Sequence, residues 1–143
     1  MLAVDSARTL HSLKILIVED DPLIASCVEE FLSDAQYNVV GVAGSAFAAL
    51  SLLGEIEKPD VALVDINLTG QLDGIELACL IRNKPGVRTI FLTGQCDIHT
   101  KLKAEAAAPL AFLQKPFRPS TLFNTIQTAL ADNPPNPQPA LAN

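Results

Sequence analysis

Residues 61–70 read V-A-L-V-D-I-N-L-T-G, and this stretch restricts the possible folds more than any other. Four apolar residues with valine at both ends suit a strand buried on both faces, as in parallel sheets covered by helices. The run stops on a carboxylate, Asp65, with Asn67, Thr69 and Gly70 in the loop beyond. In open α/β sheets the carboxyl edge of the strands is where ligands bind. Three other runs end in a related way. Residues 14–21 (K-I-L-I-V-E-D-D) end on acids, residues 89–94 (T-I-F-L-T-G) on a hydroxyl and a glycine, and residues 110–117 (L-A-F-L-Q-K-P-F) carry Lys-Pro. Acids, acid, hydroxyl and lysine form an inventory for handling one phosphoryl group and one divalent metal.

Between these runs lie helical patterns. After the first strand, at 14–18, Pro22 suits a first helical turn, and Leu23, Ile24, Cys27, Val28, Phe31 and Leu32 fall at helical spacing with Glu29 and Glu30 on the wet side. A second strand is expected at 37–42, and Ser45 can cap a helix to about residue 53 with Phe47 and Leu50 facing in. Lys58-Pro59-Asp60 breaks the chain before the central strand. Then come a helix at 74–82 carrying Ile75, Ala78, Cys79 and Leu80, a strand at 88–92, a helix at 97–107, a strand at 110–113 and a helix at 119–131. Strand and helix alternate five times. That pattern predicts an α/β fold with a five-stranded parallel sheet covered on both faces, a doubly wound three-layer sandwich. Residues 1–12 read as a polar lead-in, 13–131 as one domain, and 132–143, with prolines at 134, 135, 137 and 139, as a disordered tail.

Composition removes several classes of function. The chain has 143 residues, 49% hydrophobic and 18% charged, so it is globular and long enough to bury a core. Its net charge is −6 and its ten basic residues are scattered, whereas a nucleic-acid footprint requires clustered Lys and Arg. Cys27, Cys79 and Cys96 lack metal-ligand spacing and suit a reducing compartment, with Cys96 read as a small residue and not a reactive thiol. Asp5, Arg8 and His11 interrupt the start where a secretory signal needs an apolar stretch. Gly41 and Gly44 punctuate the one long uncharged span. A cytoplasmic protein with neither nucleic acid nor membrane as partner is expected.

Few topologies fit five right-handed βα units. In the flavodoxin-like strand order 2-1-3-4-5, strands one and three are neighbours at the switch point, which brings Glu19 and Asp20 beside Asp65. Three adjacent carboxylates resist ionising together unless a cation binds, and Mg2+ matches hard oxygen donors completed by phosphate. Glu19 and Asp20 equally suit capping of the first helix. Asp65 can act as a nucleophile towards phosphorus if the charge is neutralised, by the metal on one side and Lys115 on the other. Thr93 can donate to a phosphoryl oxygen. Lys115 also reads as a surface charge, and Thr93 as an ordinary strand-end hydroxyl. The Lys115-Pro116 bond is a candidate cis peptide.

From about residue 13 to 131 the chain resembles the CheY-like receiver domain of bacterial response regulators, through I-L-I-V-E-D-D-P, L-V-D-I-N-L, D-G-I-E-L, I-F-L-T-G and F-L-Q-K-P-F. The resemblance implies that Asp65 is the phospho-acceptor and Asp20 a direct Mg2+ ligand. It implies further that Glu19 acts through metal-bound water and Asn67 through its backbone carbonyl. Thr93 and Lys115 would contact the phosphoryl group, Lys115-Pro116 would be cis, and Phe112 would be the aromatic switch that turns inward when Thr93 moves. The implied partner is a histidine kinase or histidine phosphotransfer protein. The implied role is a stand-alone signalling receiver that loses its phosphoryl group by itself and is not a multiple-turnover enzyme. The loop after Asp65, N-L-T-G-Q-L-D-G, lacks the proline of many members and is one residue longer, and Ala108-Pro109 replaces the usual Gly-Ala. T-G-Q after strand four is similar to the F-A-T-G-Tyr motif of a single-domain subgroup, differing at Leu92 and Gln95. An enzyme alternative is a haloacid-dehalogenase-type phosphatase, but its second acid is Asn67 here and no acidic pair follows Lys115. A degenerate receiver, acting only as a binding module, conflicts with the complete set Asp20, Asp65, Thr93 and Lys115. The last helix carries no charge from Pro119 to Ala131, which suggests a docking or homodimer surface shared with strand five.

Overall fold

A computed structural model describes residues 13–94 and 97–133. Expectations for the lead-in, for Gln95 and Cys96, and for the tail from 134 fall outside the described residues. The strands are β1 (Lys14–Val18), β2 (Asn38–Ala43), β3 (Val61–Asp65), β4 (Arg88–Thr93) and β5 (Ala111–Gln114). They form one sheet, parallel throughout, in the order β2-β1-β3-β4-β5. The helices are α1 (Pro22–Asp34), α2 (Ala46–Leu53), α3 (Gly74–Asn83), α4 (Ile98–Glu105) and α5 (Pro119–Asp132).

Period-two alternation divides each central strand between two cores. Ile15, Ile17, Leu63, Ile90 and Leu92 pack beneath α1 and α5, against Val28, Leu32, Leu122 and Ile126. Leu16, Val18, Ala62, Val64 and Phe91 face the other way, against Ala49, Leu77, Ile81 and Ala104 of α2, α3 and α4. Every residue of β3 is buried, as its uninterrupted apolar run requires. Helix starts cluster at the carboxyl edge, and four are capped by side chains: Asp21 for α1, Ser45 for α2, Asp73 for α3 and Asp97 for α4, whereas α5 starts on Pro119 without one. Asp73 and Glu76 form a reciprocal capping box. This holds α3 against the end of β3 so closely that a Cβ on Gly74 would run into the Asp65 carbonyl oxygen.

Element boundaries fall within one or two residues of the sequence reading, but several side chains face the other way. Phe47 is 56% exposed, because the buried stripe of α2 is Ala46 and Ala49, with half-buried Leu50 packed against the core as expected. In α1, Leu23 is 73% exposed and Cys27 is exposed, while Ala25, Val28 and Leu32 face the sheet. In α3, Leu80 is exposed and Leu77, Ala78 and Ile81 are buried. Each of these helices has more apolar residues than one face can hold, and the stripe containing alanine allows the helix to sit closest to the sheet. Lys115-Pro116 is cis, and Lys84-Pro85 is cis as well. Gly86, with φ of 92°, turns the chain into β4 in a conformation that favours glycine.

Candidate functional site

Strand register assembles the site. Val18 pairs with Val64 across β1 and β3, so the residues immediately after them, Glu19 and Asp65, emerge level at the carboxyl edge. On the other side Thr93 pairs with Gln114, and the Lys115 amide donates to the Thr93 carbonyl at 2.7 Å. The lysine therefore leaves its strand beside the end of β4 and reaches back over it. Carboxylate oxygens of Glu19, Asp20 and Asp65 lie within 4.8 Å of one another. Glu19 is 2% exposed and Asp65 6%, whereas Asp20 is half-buried.

One ammonium group meets these acids. Lys115 Nζ lies 2.6 Å from Glu19 Oε1 and 3.5 Å from Asp65 Oδ2. Backbone amides take up further lone pairs: Asp21 N–H donates to Glu19 Oε2 at 3.1 Å, and Asn67 N–H donates to Asp65 Oδ1 at 3.0 Å. Burial pushes the Glu19 carboxyl above its ordinary value; the Lys115 hydrogen bond opposes the rise and the Asp65 charge adds to it. Asp20 feels burial in the same direction, but hydrogen bonds from the Thr69 amide and hydroxyl leave it below the ordinary value. Asp21, and not Glu19 or Asp20, caps α1, so the capping alternative for those two acids does not hold.

The remaining residues surround this centre. The Thr93 hydroxyl is buried at the end of β4 and donates to the Gly94 carbonyl at 3.2 Å. Phe112 is half-buried on β5, with its ring centroid 5.8 Å from that of buried Phe91 and Lys101 Nζ 5.3 Å from its own. Beside Lys115 an apolar groove of about 470 Å³ runs between α1 and the β5–α5 loop, lined by Leu23, Ile24, Cys27, Phe31, Pro116 and Phe117 among others. The sequence reading missed one member of the site, Thr69. Its amide and hydroxyl donate to Asp20 Oδ2 at 3.2 and 3.1 Å. A hydroxyl in the loop after Asp65 was visible in the sequence, but its partner lies 49 positions away.

All three clustered side chains offer hard oxygen atoms, and one lysine cannot neutralise three carboxylates. This donor set fits a small divalent cation, and thiolates or imidazoles that would favour a softer ion are absent from the cluster. Fold and site together define a doubly wound α/β domain organised around an acidic pocket at the carboxyl edge of its sheet. The chain belongs to the response regulator receiver domain family, whose model matches residues 15–127. It is 33% identical over 118 residues to the transcriptional regulatory protein PdtaR of Mycobacterium tuberculosis, covering 82% of this chain and 57% of that protein. It is also 32% identical over 129 residues to the phyllosphere-induced regulator PhyR of Methylorubrum extorquens, covering 90% of this chain and 46% of the relative. The chain thus spans about half the length of these curated relatives. Among solved structures, it resembles the signal receiver domain of a modulated diguanylate cyclase from Desulfovibrio desulfuricans (TM-score 0.78, 34% identity, covering 85% of this chain and 95% of that one). The Vibrio cholerae chemotaxis protein CheY4 is similar to it as well, with a TM-score of 0.76 and 29% identity over 83% of this chain and 99% of the other. Among the described residues, no helix is long and apolar enough to cross a membrane.

Proposed function

We propose that Asp65 accepts a phosphoryl group from the phosphohistidine of a histidine kinase or histidine phosphotransfer protein. The observation that carries this reading is the convergence of Glu19, Asp20 and Asp65 around Lys115. An Asp65 carboxylate oxygen attacks phosphorus in line. The new O–P bond forms an acyl phosphate as the P–N bond breaks, its electron pair staying on the departing imidazole. Glu19, Asp20, Asp65 and the Asn67 carbonyl would hold Mg2+, which when bound would neutralise charge on the phosphoryl oxygens. Lys115 swings from Glu19 to a phosphoryl oxygen, and the Thr93 hydroxyl turns from the Gly94 carbonyl to another. Phe112 then follows into the space that Thr93 leaves, and the contact surface around β5 changes. Water later hydrolyses the acyl phosphate and resets the domain. The apolar groove beside Lys115, with Leu23 exposed on its wall, suits docking of the phosphodonor protein.

Incubation with Mg2+ and a small phosphodonor should add one phosphoryl group to the intact mass, and Asp65→Asn should abolish the gain. Full labelling of that variant would place the acceptor elsewhere. A second contact surface is supported by α5. Its buried stripe is Leu122, Ile126, Ala129 and Leu130, while Asn124 and Thr128 are exposed beside a groove of about 330 Å³ that reaches Leu110 and Ala111 near the edge strand β5. A face that carries no charge from Pro119 to Ala131, beside an open strand edge, suits a second copy of this domain. Asn124→Glu with Thr128→Glu should then lower the sedimentation-derived mass of the phosphorylated protein; an unchanged dimer, or a wild type that stays monomeric, would count against self-association there.

A further inference from the structure

Thr69 occupies an exposed position in the loop between β3 and α3, four residues beyond Asp65. Two of its donors converge on a single atom: amide and hydroxyl both reach Asp20 Oδ2. Asp20 is the member of the acidic trio that lacks an ion pair to Lys115, which contacts Glu19 and Asp65 instead. It is also the most exposed of the three, on the loop that leads from β1 into α1. A carboxylate so placed turns easily about its Cβ–Cγ bond, because terminal torsions of this kind are broad. Two donors on one oxygen remove that freedom. They fix the plane of the carboxylate and satisfy Oδ2, with the group held beside Glu19 and Asp65.

We infer that Thr69 is a positioning residue for the divalent cation, acting through Asp20. The inference rests on the proposed metal-dependent phosphoryl chemistry but goes beyond it, assigning cation affinity to a side chain that is not itself a ligand. The hydroxyl ties the β1–α1 and β3–α3 loops across the mouth of the site, so that Asp20 is already turned towards Asp65 before the cation arrives. Outer partners of metal ligands act in this way, by orienting the ligand and lowering the ordering that binding requires.

The test is calorimetric titration of the full chain with Mg2+ alone, without phosphodonor, for wild type, Thr69→Val, Thr69→Ala and Thr69→Ser. Valine keeps the shape and the backbone donor while removing the hydroxyl; serine restores it. Loss of an outer hydrogen bond of this kind weakens metal binding by about tenfold. The Kd for Mg2+ should therefore rise by that order in Thr69→Val and Thr69→Ala and stay close to wild type in Thr69→Ser. Because Thr69 is exposed, the melting temperature without metal should be the same in all four proteins, while the upward shift on adding Mg2+ should shrink in the two that lack the hydroxyl. A wild type that takes up no Mg2+ would overturn the metal-dependent reading itself. A wild type that binds, with Val and Ala variants within roughly threefold of it, would leave that reading intact and overturn the role of Thr69. Equal weakening in Thr69→Ser would overturn it too, because the hydroxyl would then not be the cause.

Discussion

The sheet carries a lysine among carboxylates at each of its two ends, and the two clusters behave differently. At the amino edge, Lys14 Nζ lies 3.0 Å from Glu57 Oε2 and its amide donates to Asp60 Oδ2, with the glutamate in open solvent. At the carboxyl edge, Lys115 lies 2.6 Å from Glu19 Oε1, with that glutamate fully enclosed and Asp65 and Asp20 beside it. The contact types are alike, but the surroundings are not. Water screens the first cluster, so its pairing contributes little and can be lost without consequence. In the second, burial raises the cost of every unpaired charge, and acids outnumber the lysine. Such an arrangement costs stability unless a cation completes it, and this contrast supports the carboxyl edge as the proposed site.

The contrast is sharpest in stability. Lys115→Met should destabilise the Mg2+-free domain by about 3 kcal/mol, since it leaves Glu19 buried without its partner. The double variant Glu19→Gln/Lys115→Met should recover most of that loss. Denaturant titrations of the three proteins measure both effects, and a single variant as stable as wild type would break the comparison. A smaller effect concerns pH. The Glu19 carboxyl is raised above 4.5, mainly by burial, so the folded state holds this proton over a range where the unfolded chain has released it. Stability should therefore fall as pH rises from 4.5 towards the raised value, and Glu19→Gln should flatten that part of the curve. Added Mg2+ should oppose the fall by favouring the ionised cluster. The smallest effect is expected at the other edge, where Lys14→Met should leave both the melting temperature and phosphoryl uptake at their wild-type values. A clear loss of stability there would show that the amino-edge pair does more than its exposure allows.

Much of the carboxyl edge was legible in the sequence because buried parallel strands announce their ends: β3 stops being apolar where it leaves the core, and the next residue is Asp65 or its loop. Strand order then determines which ends meet, and it brought Glu19 and Asp20 beside Asp65, where their carboxylates do cluster. What side chains do within that frame was not legible. Nothing in the chain ranks Glu19 over Asp65 as the nearer partner of Lys115, because the choice depends on differences of about 1 Å between 2.6 and 3.5 Å. Nor could spacing join Thr69 to Asp20, which meet only because two loops fold over the same edge. The outward turn of Phe47 and Leu80 escaped for another reason. Helices rich in apolar residues offer two plausible inner stripes, and the choice falls to the fit of small side chains against the sheet.

Gly74 contributes no charge, donor or ligand to the site, yet its missing side chain is what lets the first turn of α3 lie against the backbone of Asp65. The end of β3 and the start of α3 are therefore in direct backbone contact, with no room between them for a side chain. The same tightness makes the position intolerant. In a library of random variants, any side chain at Gly74 would have to displace the peptide of Asp65, so substitutions there should be as poorly tolerated as those in the core.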